Sequence, residues 1–208
     1  MKLLAFVDLH GDPKSLRKIA DRSKKADIII CAGDLTVFGR QYRDILEALN
    51  SLGKPVFIIA GNHETDELLK DASFGLMNII PIDKRILEFG NYILIGYGGG
   101  GFSLVDERFE KIARVFGKRL KNLQKGSNKA NSSESKKIIL VTHQPPYGTD
   151  VDLLHGQHAG CKSFTRFIRE VQPILSICGH LHETAGKKDK IGKTVVINPG
   201  WQGVILEV

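Results

Sequence analysis

The sequence has few cysteines and no long apolar run, and each absence excludes a class of protein. Its three cysteines, Cys31, Cys161 and Cys178, form no closely spaced pair and leave one over, which is unlike a disulfide framework. Cys31 and Cys178 lie inside apolar runs, where an unpaired cysteine usually behaves as a small hydrophobic residue. We therefore expect both to be buried. No apolar run approaches the roughly 20 residues that span a bilayer, so we expect no membrane partner.

The composition is that of a globular protein with an excess of positive charge. Of the 208 residues, 42% are hydrophobic and 25% are charged, proportions typical of soluble proteins, and the length fits one domain over residues 1–208. The apolar start of the chain leads straight into Asp8 without a cleavage site, which favours a buried strand over a signal peptide and predicts a cytoplasmic protein. The net charge of +7 favours anionic partners, phosphates included. Much of it lies between Arg108 and Lys137, where a solvated helix face and a flexible internal loop over residues 124–137 are predicted.

Short apolar runs alternate with amphipathic stretches in the first part of the chain. Strands are predicted over residues 3–7, 28–32 and 56–60, and helices over residues 14–25 and 41–52. The apolar runs are continuous, which is typical of strands that are covered on both faces. This alternation predicts an α/β fold with a largely parallel central sheet.

The later part of the chain adds strands of a second kind. Residues 84–89 and 91–95 flank a Gly-Asn turn and predict a hairpin, and with it a second, antiparallel sheet. Further elements are predicted as helices over 107–123 and 161–171, strands over 138–142 and 174–178, and a final hairpin of 193–197 with 204–208.

Carboxylate, amide and imidazole side chains follow five of the predicted strands at the point where each strand ends. They are Asp8, His10, Asp34, Asn62, His63, His143, His180 and His182. In open α/β sheets this edge is where ligands bind, and a mixed set of oxygen and nitrogen ligands suits divalent ions. Two ions about 3.5–4 Å apart need a bridging ligand, and Asp34 is the candidate for that bridge.

Five short motifs in this order resemble the calcineurin-like metallophosphoesterase superfamily. They are D-x-H at residues 8–10, G-D at 33–34, G-N-H-E at 61–64, a single histidine at 143 and G-H-x-H at 179–182, and they extend over nearly the whole chain. Each motif is weak alone, but all five in order are specific. The resemblance implies an α/β fold with two packed mixed β-sheets flanked by helices, a four-layer αββα sandwich.

The resemblance also implies a dinuclear metal centre. The first of two divalent ions would be held by Asp8, His10 and His182, the second by Asn62, His143 and His180, and Asp34 would bridge both. His63 would contact the substrate phosphate and act as the general acid for the leaving oxygen, while a hydroxide shared by the ions attacks phosphorus. Manganese is the expected metal, with iron, zinc and nickel as alternatives.

Three functions fit these motifs. The leading one is hydrolysis of phosphodiester or phosphomonoester bonds in small substrates. A nuclease acting on DNA or RNA is the second, because of the positive charge between Arg108 and Lys137. The third is a non-catalytic interaction module in which the metal ions only stabilise the structure. The presence of His63, where scaffold members of the superfamily tend to have cysteine, favours catalysis.

Two interpretations stay open for each of two further residues. His158, together with His155, either lines the substrate side of the site or lies in an exposed loop. Glu64 either orients His63 or favours the start of the helix that follows it.

Overall fold

The computed structural model of the protein describes the backbone of residues 1–129 and 136–208. Within these ranges the helices are α1 (Pro13–Ser23), α2 (Tyr42–Asn50), α3 (Asp66–Ser73), α4 (Glu107–Lys129) and α5 (Lys162–Val171). The strands are β1 (Lys2–Phe6), β2 (Ile28–Cys31), β3 (Val56–Ile58), β4 (Ile79–Pro81), β5 (Arg85–Phe89), β6 (Tyr92–Tyr97), β7 (Lys137–Thr142), β8 (Leu153–Leu154), β9 (Gln157–His158), β10 (Leu175–Ile177), β11 (Lys188–Ile191), β12 (Thr194–Ile197) and β13 (Val204–Glu207). Two 3₁₀ turns span Asp150–Asp152 and His182–Thr184.

The strands form two large mixed sheets. The first has the order β13-β1-β2-β3-β4, in which β1 to β4 are parallel and β13 is antiparallel to β1. The second has the order β11-β12-β10-β7-β6-β5, with four parallel central strands and antiparallel strands β11 and β5 at its edges. The short strands β8 and β9 pair with each other.

The two faces of the first sheet are both buried. Leu4 and Phe6 of β1 pack with Ile19 of α1 on one face, while Leu3 and Ala5, which point the other way, pack against the second sheet. This alternation follows from the two-residue repeat of a strand. Helices α1, α2 and α3 therefore cover the outer face of the first sheet. Because both faces of this sheet are buried, its strands have continuous apolar runs.

The second sheet is covered in the same way by α4 and α5. Phe109 and Phe116 of α4 and Phe164 and Phe167 of α5 pack with Ile95 and its neighbours on the face turned away from the first sheet. Helices, sheet, sheet and helices thus form four layers, and the predicted αββα sandwich is confirmed.

Local sequence explains why several of these elements start where they do. The carboxylate of Asp12 accepts hydrogen bonds from the backbone N–H groups of Lys14 and Ser15, and Pro13 occupies the first helical position, where its missing N–H group costs nothing. Thr65 caps α3 through a hydrogen bond from the Leu68 N–H group. Helix α3 and strand β4 were not predicted, because both are too short to show a clear hydrophobic period.

The predicted final hairpin is wrong. Strand β12 lies in the second sheet between β10 and β11, whereas β13 pairs with β1 at the edge of the first sheet. The antiparallel neighbour of β12 is β11, whose polar sequence gives no strand signal. Proximity along the chain indicated the wrong pairing, because the chain crosses from one sheet to the other between the two apolar strands.

Two other expectations are corrected. The second sheet is mixed rather than antiparallel, since only its edge strands run against the others. Helix α4 continues through residues 124–129, the first part of the predicted loop, and β7 already begins at Lys137. A helix anchored by packing extends readily because each added residue adds one hydrogen bond. The rest of the predicted loop, 130–135, lies outside the described residues.

The three cysteines are buried and unpaired, as expected for Cys31 and Cys178. Among the helices of the described residues, none combines the length and the apolar composition needed to cross a bilayer.

Candidate metal centre

The predicted ligands meet where the carboxyl edges of the two sheets adjoin. Asp8 and Asp34 follow strands β1 and β2 of the first sheet, and His143 and His180 follow β7 and β10 of the second. The backbone N–H group of His180 donates to the carboxylate of Asp8, with a shortest distance of 3.0 Å. The two sheets therefore contribute side chains to one site.

One group of side chains consists of Asp8, His10 and His182. Nε2 of His10 lies 3.0 Å from Nε2 of His182, and the latter atom lies 4.0 Å from Oδ1 of Asp8. One ligand atom of each residue lies within 4.8 Å of the other two. This spacing is compatible with three ligands of a single ion.

A second group consists of Asn62, His143 and His180. Oδ1 of Asn62 lies 2.9 Å from Nε2 of His143 and 2.8 Å from Nδ1 of His180. The three atoms come from three different strand ends, and two of the strands belong to the second sheet. They converge on one side of Asp34.

Asp34 lies between the two groups. Its Oδ2 atom is 3.8 Å from Nε2 of His10 and 3.3 Å from Nε2 of His143. Its carboxylate is almost entirely buried. This is the position that a bridging ligand requires.

The hydrogen bonds of the histidine rings test whether these side chains suit a cation. Nδ1 of His143 lies 2.9 Å from the carbonyl oxygen of Ala32, and Nδ1 of His10 lies 3.3 Å from that of Thr36. A carbonyl only accepts, so each Nδ1 carries a proton and Nε2 is the ring atom that faces the site. In His143, Nε2 faces the oxygen atoms of Asn62 and Asp34, and this position holds either a second proton or a cation. Acceptor oxygen atoms that converge in this way repel one another unless a positive charge lies between them, so the residues fit a divalent ion.

The pKa shifts of the site have the same implication. Burial raises the pKa of Asp8 to about 6, so a positive charge beside it is needed to keep it fully ionised. Burial alone would also raise the pKa of Asp34, but the hydrogen bond and charge of His143 outweigh this and lower it. Burial lowers the pKa of His180 to about 4, which leaves its ring neutral and able to act as a ligand at neutral pH.

Four of the predicted ligands have a strained backbone. The φ angles of Asp8, His10, Asp34 and His180 are 54°, 47°, 52° and 68°, in the left-handed region that residues other than glycine seldom adopt. Such conformations cost on the order of 1 kcal/mol or more each and tend to cluster at functional sites. The strain turns these side chains out of the strand direction and toward one another.

Two glycines make the close packing of this edge possible. Gly33 has a φ of 100°, and a Cβ atom there would lie 2.6 Å from the backbone nitrogen of Gly61. A Cβ atom on Gly61 would in turn overlap Oδ1 of Asp34. The exits of β2 and β3 can therefore adjoin only without side chains at these positions.

Glu64 has a role that neither interpretation of the sequence anticipated. Its buried carboxylate accepts hydrogen bonds from the backbone N–H groups of Asp34, Thr36 and Gly61 and from the Thr36 hydroxyl, at 2.8–3.3 Å. It thus joins the loops that carry Asp34 and Asn62, rather than orienting His63 or starting α3, which begins at Asp66. The motif contained this residue, but nothing in its spacing showed which N–H groups it would meet.

His63 lies at the edge of the two groups. Nε2 of its ring is 3.9 Å from Oδ2 of Asp34, and its backbone N–H group donates to Oδ1 of Asp34 at 2.9 Å. The ring packs edge-on against His10, with centroids 4.8 Å apart. Its Nδ1 atom is buried and has no hydrogen-bond partner among the described residues.

His158 lies in the two-stranded sheet and is not a member of either group. Its Nδ1 atom is 2.9 Å from Oδ1 of the buried Asp152, and its ring centroid is 5.3 Å from that of Tyr147. His155, in the turn before it, is exposed. Substrate binding by His158 stays a prediction.

The chain is similar to known proteins over nearly its whole length. Residues 1–184 match the family model of the calcineurin-like phosphoesterases. An uncharacterized protein of Methanocaldococcus jannaschii is 31% identical over 207 residues, which cover 96% of this chain and 88% of that protein. A probable glycerophosphodiester phosphodiesterase of Arcobacter nitrofigilis is 27% identical over 86% of this chain and 65% of its own length. The crystal structure of TT1561 of Thermus thermophilus superposes with a TM-score of 0.71 at 20% identity, covering 97% of this chain and 90% of that chain. The chain belongs to the calcineurin-like phosphoesterase family.

Proposed function

We propose that the protein hydrolyses phosphodiester or phosphomonoester bonds of small substrates at a centre that holds two divalent ions. The observation that carries this proposal is the position of Asp34 between two groups of ligand atoms, with His63 beside it. The similarity to a probable glycerophosphodiester phosphodiesterase supports a phosphodiester substrate. Family membership by itself supports only a phosphoester hydrolase.

The two groups of side chains divide naturally between two ions. Asp8, His10 and His182 would hold one, Asn62, His143 and His180 the other, and Asp34 would contact both. When bound, the ions supply positive charge that stabilises the phosphoryl oxygens in the transition state. The chain orients its ligands for this task through backbone carbonyl groups, as in the hydrogen bond between Nδ1 of His143 and Ala32.

His63 would supply the proton that the leaving oxygen needs. Its Nδ1 atom is buried while Nε2 faces Asp34, so Nε2 is the atom that can reach a phosphoester at the centre. Proton transfer from a positioned side chain contributes about 10²–10⁴-fold to the rate. The edge-on contact with His10 holds the ring in place.

Turnover of bis-p-nitrophenyl phosphate by the metal-loaded protein tests this function. We expect His63→Ala to lower kcat by about 10²–10⁴-fold and Asp34→Asn to abolish activity together with metal binding. Asp44→Asn, the same change at an exposed position of α2, is the matched control and should retain full activity. Wild-type protein that binds metal but turns over no phosphoester would leave the non-catalytic interaction module as the better account.

A nuclease is a second candidate because of one surface feature. The groove between α4 and α5 has a volume of about 310 Å³, and its basic lining residues Arg114, Lys118, Lys121 and Arg166 outnumber its acidic ones, Glu110 and Glu170. Such a surface would bind nucleic acid with an affinity that falls steeply with salt. Cleavage of oligonucleotides that weakens in Lys118→Glu, with bis-p-nitrophenyl phosphate turnover unchanged, would favour this candidate; no cleavage would remove it.

A further inference from the structure

Three aromatic side chains surround the metal centre, each beside a different histidine. The ring centroid of Phe38 is 4.5 Å from that of His63, and the ring of Phe102 is 4.7 Å from that of His180. The ring of Trp201 is 6.3 Å from that of His182. We call Phe38, Phe102 and Trp201 the aromatic rim.

The aromatic rim is exposed to solvent. Phe38 is 77% exposed, Phe102 is 72% exposed and Trp201 is 36% exposed, whereas Phe109 of the core is 1% exposed. Exposed apolar side chains add nothing to the stability of the fold, and when several gather at one place they mark a binding site. The three residues come from loops after β2, β6 and β12, so their meeting at one site is a property of the fold rather than of a single loop.

The backbone of Phe38 supports the same conclusion. Its φ angle is 52°, in the left-handed region that is a clear outlier for a bulky residue. In this conformation the ring packs against His63 and is largely exposed to solvent. Strained backbone of this kind is found most often at functional sites, which supports a role for the exposed ring in binding a ligand.

We propose that the aromatic rim binds the base of a nucleoside phosphate whose phosphoryl group lies at the metal centre. This proposal rests on the proposed function and names its substrate class. Every nucleobase has a planar face that stacks on aromatic side chains, largely without regard to its sequence identity. Nucleotides are the common biological phosphoesters that carry such a ring close to the phosphate. A ring-free substrate such as a glycerophosphodiester would leave the aromatic rim uncovered.

Trp201 is the single tryptophan of the chain, so its fluorescence reports directly on stacking at the rim. The manganese-loaded protein is titrated with adenosine 5′-monophosphate and with ribose 5-phosphate, which has the same phosphate but no base. Binding of both is also measured by calorimetry. We expect the nucleotide to quench Trp201 and to bind about tenfold more tightly than the sugar phosphate, as stacking on one or two rings predicts.

Variants of the rim separate stacking from phosphate binding. Phe38→Leu and Phe102→Leu should each weaken nucleotide binding about tenfold and leave the affinity for ribose 5-phosphate unchanged. Phe74→Leu, the same change at an 83% exposed phenylalanine after α3, is the matched control and should change neither.

Equal affinities for the two ligands, or nucleotide binding that survives both rim variants, would overturn the proposal. Turnover of bis-p-nitrophenyl phosphate distinguishes this failure from that of the proposed function. If the protein turns over a phosphoester but binds the nucleotide and the sugar phosphate equally tightly, only the proposal for the aromatic rim is rejected. If nucleotide binding depends on the rim but no phosphoester is turned over, the proposed hydrolase is rejected and the proposal for the rim stands.

Discussion

At the scale of single residues, the proposed centre depends on side chains that hold the candidate ligands as well as on the candidate ligands themselves. Glu64 is the clearest case. One carboxylate oxygen accepts from the N–H groups of Asp34 and Gly61, and the other accepts from the N–H group and hydroxyl of Thr36. Burial raises its pKa, so the N–H donors that surround it are needed to keep it ionised. Asn198 acts similarly beside His182, through hydrogen bonds to the carbonyl oxygen of Leu181 and the hydroxyl of Thr184.

Glu64→Gln tests this positioning role. The glutamine keeps the shape but supplies a single oxygen, so an amide N–H₂ group would face backbone N–H donors. We expect a loss of about 1–3 kcal/mol in the free energy of unfolding and a fall in manganese affinity of about 10–100-fold. Calorimetry and urea unfolding measure both. Glu67→Gln, at an exposed position on α3, is the control, and manganese affinity that is the same in both variants would contradict the role.

At the scale of elements, the sequence predicts the strands that end at the site better than it predicts their neighbours. Strands β1, β2, β3, β7 and β10 all have mainly apolar runs followed by a residue of a ligand type, and this pattern predicts both their positions and the edge that they share. Strand β11, in contrast, is polar, and β12 and β13 are two apolar strands close in the chain that belong to different sheets. Pairing is decided by which sheet edge is free, and that depends on contacts between residues far apart in sequence.

Helix α4 offers a test of whether it is a regular helix through its middle. Gly117 lies in the middle of this helix, and a Cβ atom there would meet no atom within 4 Å. Gly117→Ala should therefore raise the free energy of unfolding by about 0.5–1 kcal/mol without changing turnover. Chemical denaturation with wild-type protein as the reference measures it. A destabilised variant would show that α4 is not held as a regular helix at this point.

The ligands themselves show the limit of prediction at this scale. The motifs identified Asp8 and Asp34, but not the left-handed backbone that directs both side chains to one place. Phe38, Phe102 and Trp201 carry no motif at all. The signal that could have found them is their position after strands that end at the site, which is shared by many ordinary loop residues.

At the scale of the whole molecule, the packing of the two sheets brings the strand ends of both sheets together at one site. Neither sheet holds all of the proposed ligands, because His143, His180 and His182 come from the second sheet and the other proposed ligands come from the first. A cation shared by both sets would therefore join the two halves of the fold. Metal binding should then stabilise the folded protein as well as make it catalytically active.

Removal of metal tests this coupling. At an ion concentration one hundred times the Kd of each site, each ion contributes about 2.7 kcal/mol and the two ions together about 5.4 kcal/mol, which corresponds to roughly 11–22 °C in Tm for a chain of this length. We expect a chelator to abolish turnover and to lower Tm by this amount, and Mn²⁺ to restore both. Ca²⁺, which prefers sites built from oxygen alone, should restore little. Equal rescue by the two ions would contradict the ligand set.

The most direct test of the dinuclear centre is anomalous diffraction from crystals grown with Mn²⁺. The account predicts two anomalous peaks about 3.5–4 Å apart, one among Asp8, His10 and His182 and the other among Asn62, His143 and His180, with Asp34 in contact with both. A single peak that involves only one group, or peaks remote from Asp34, would contradict it.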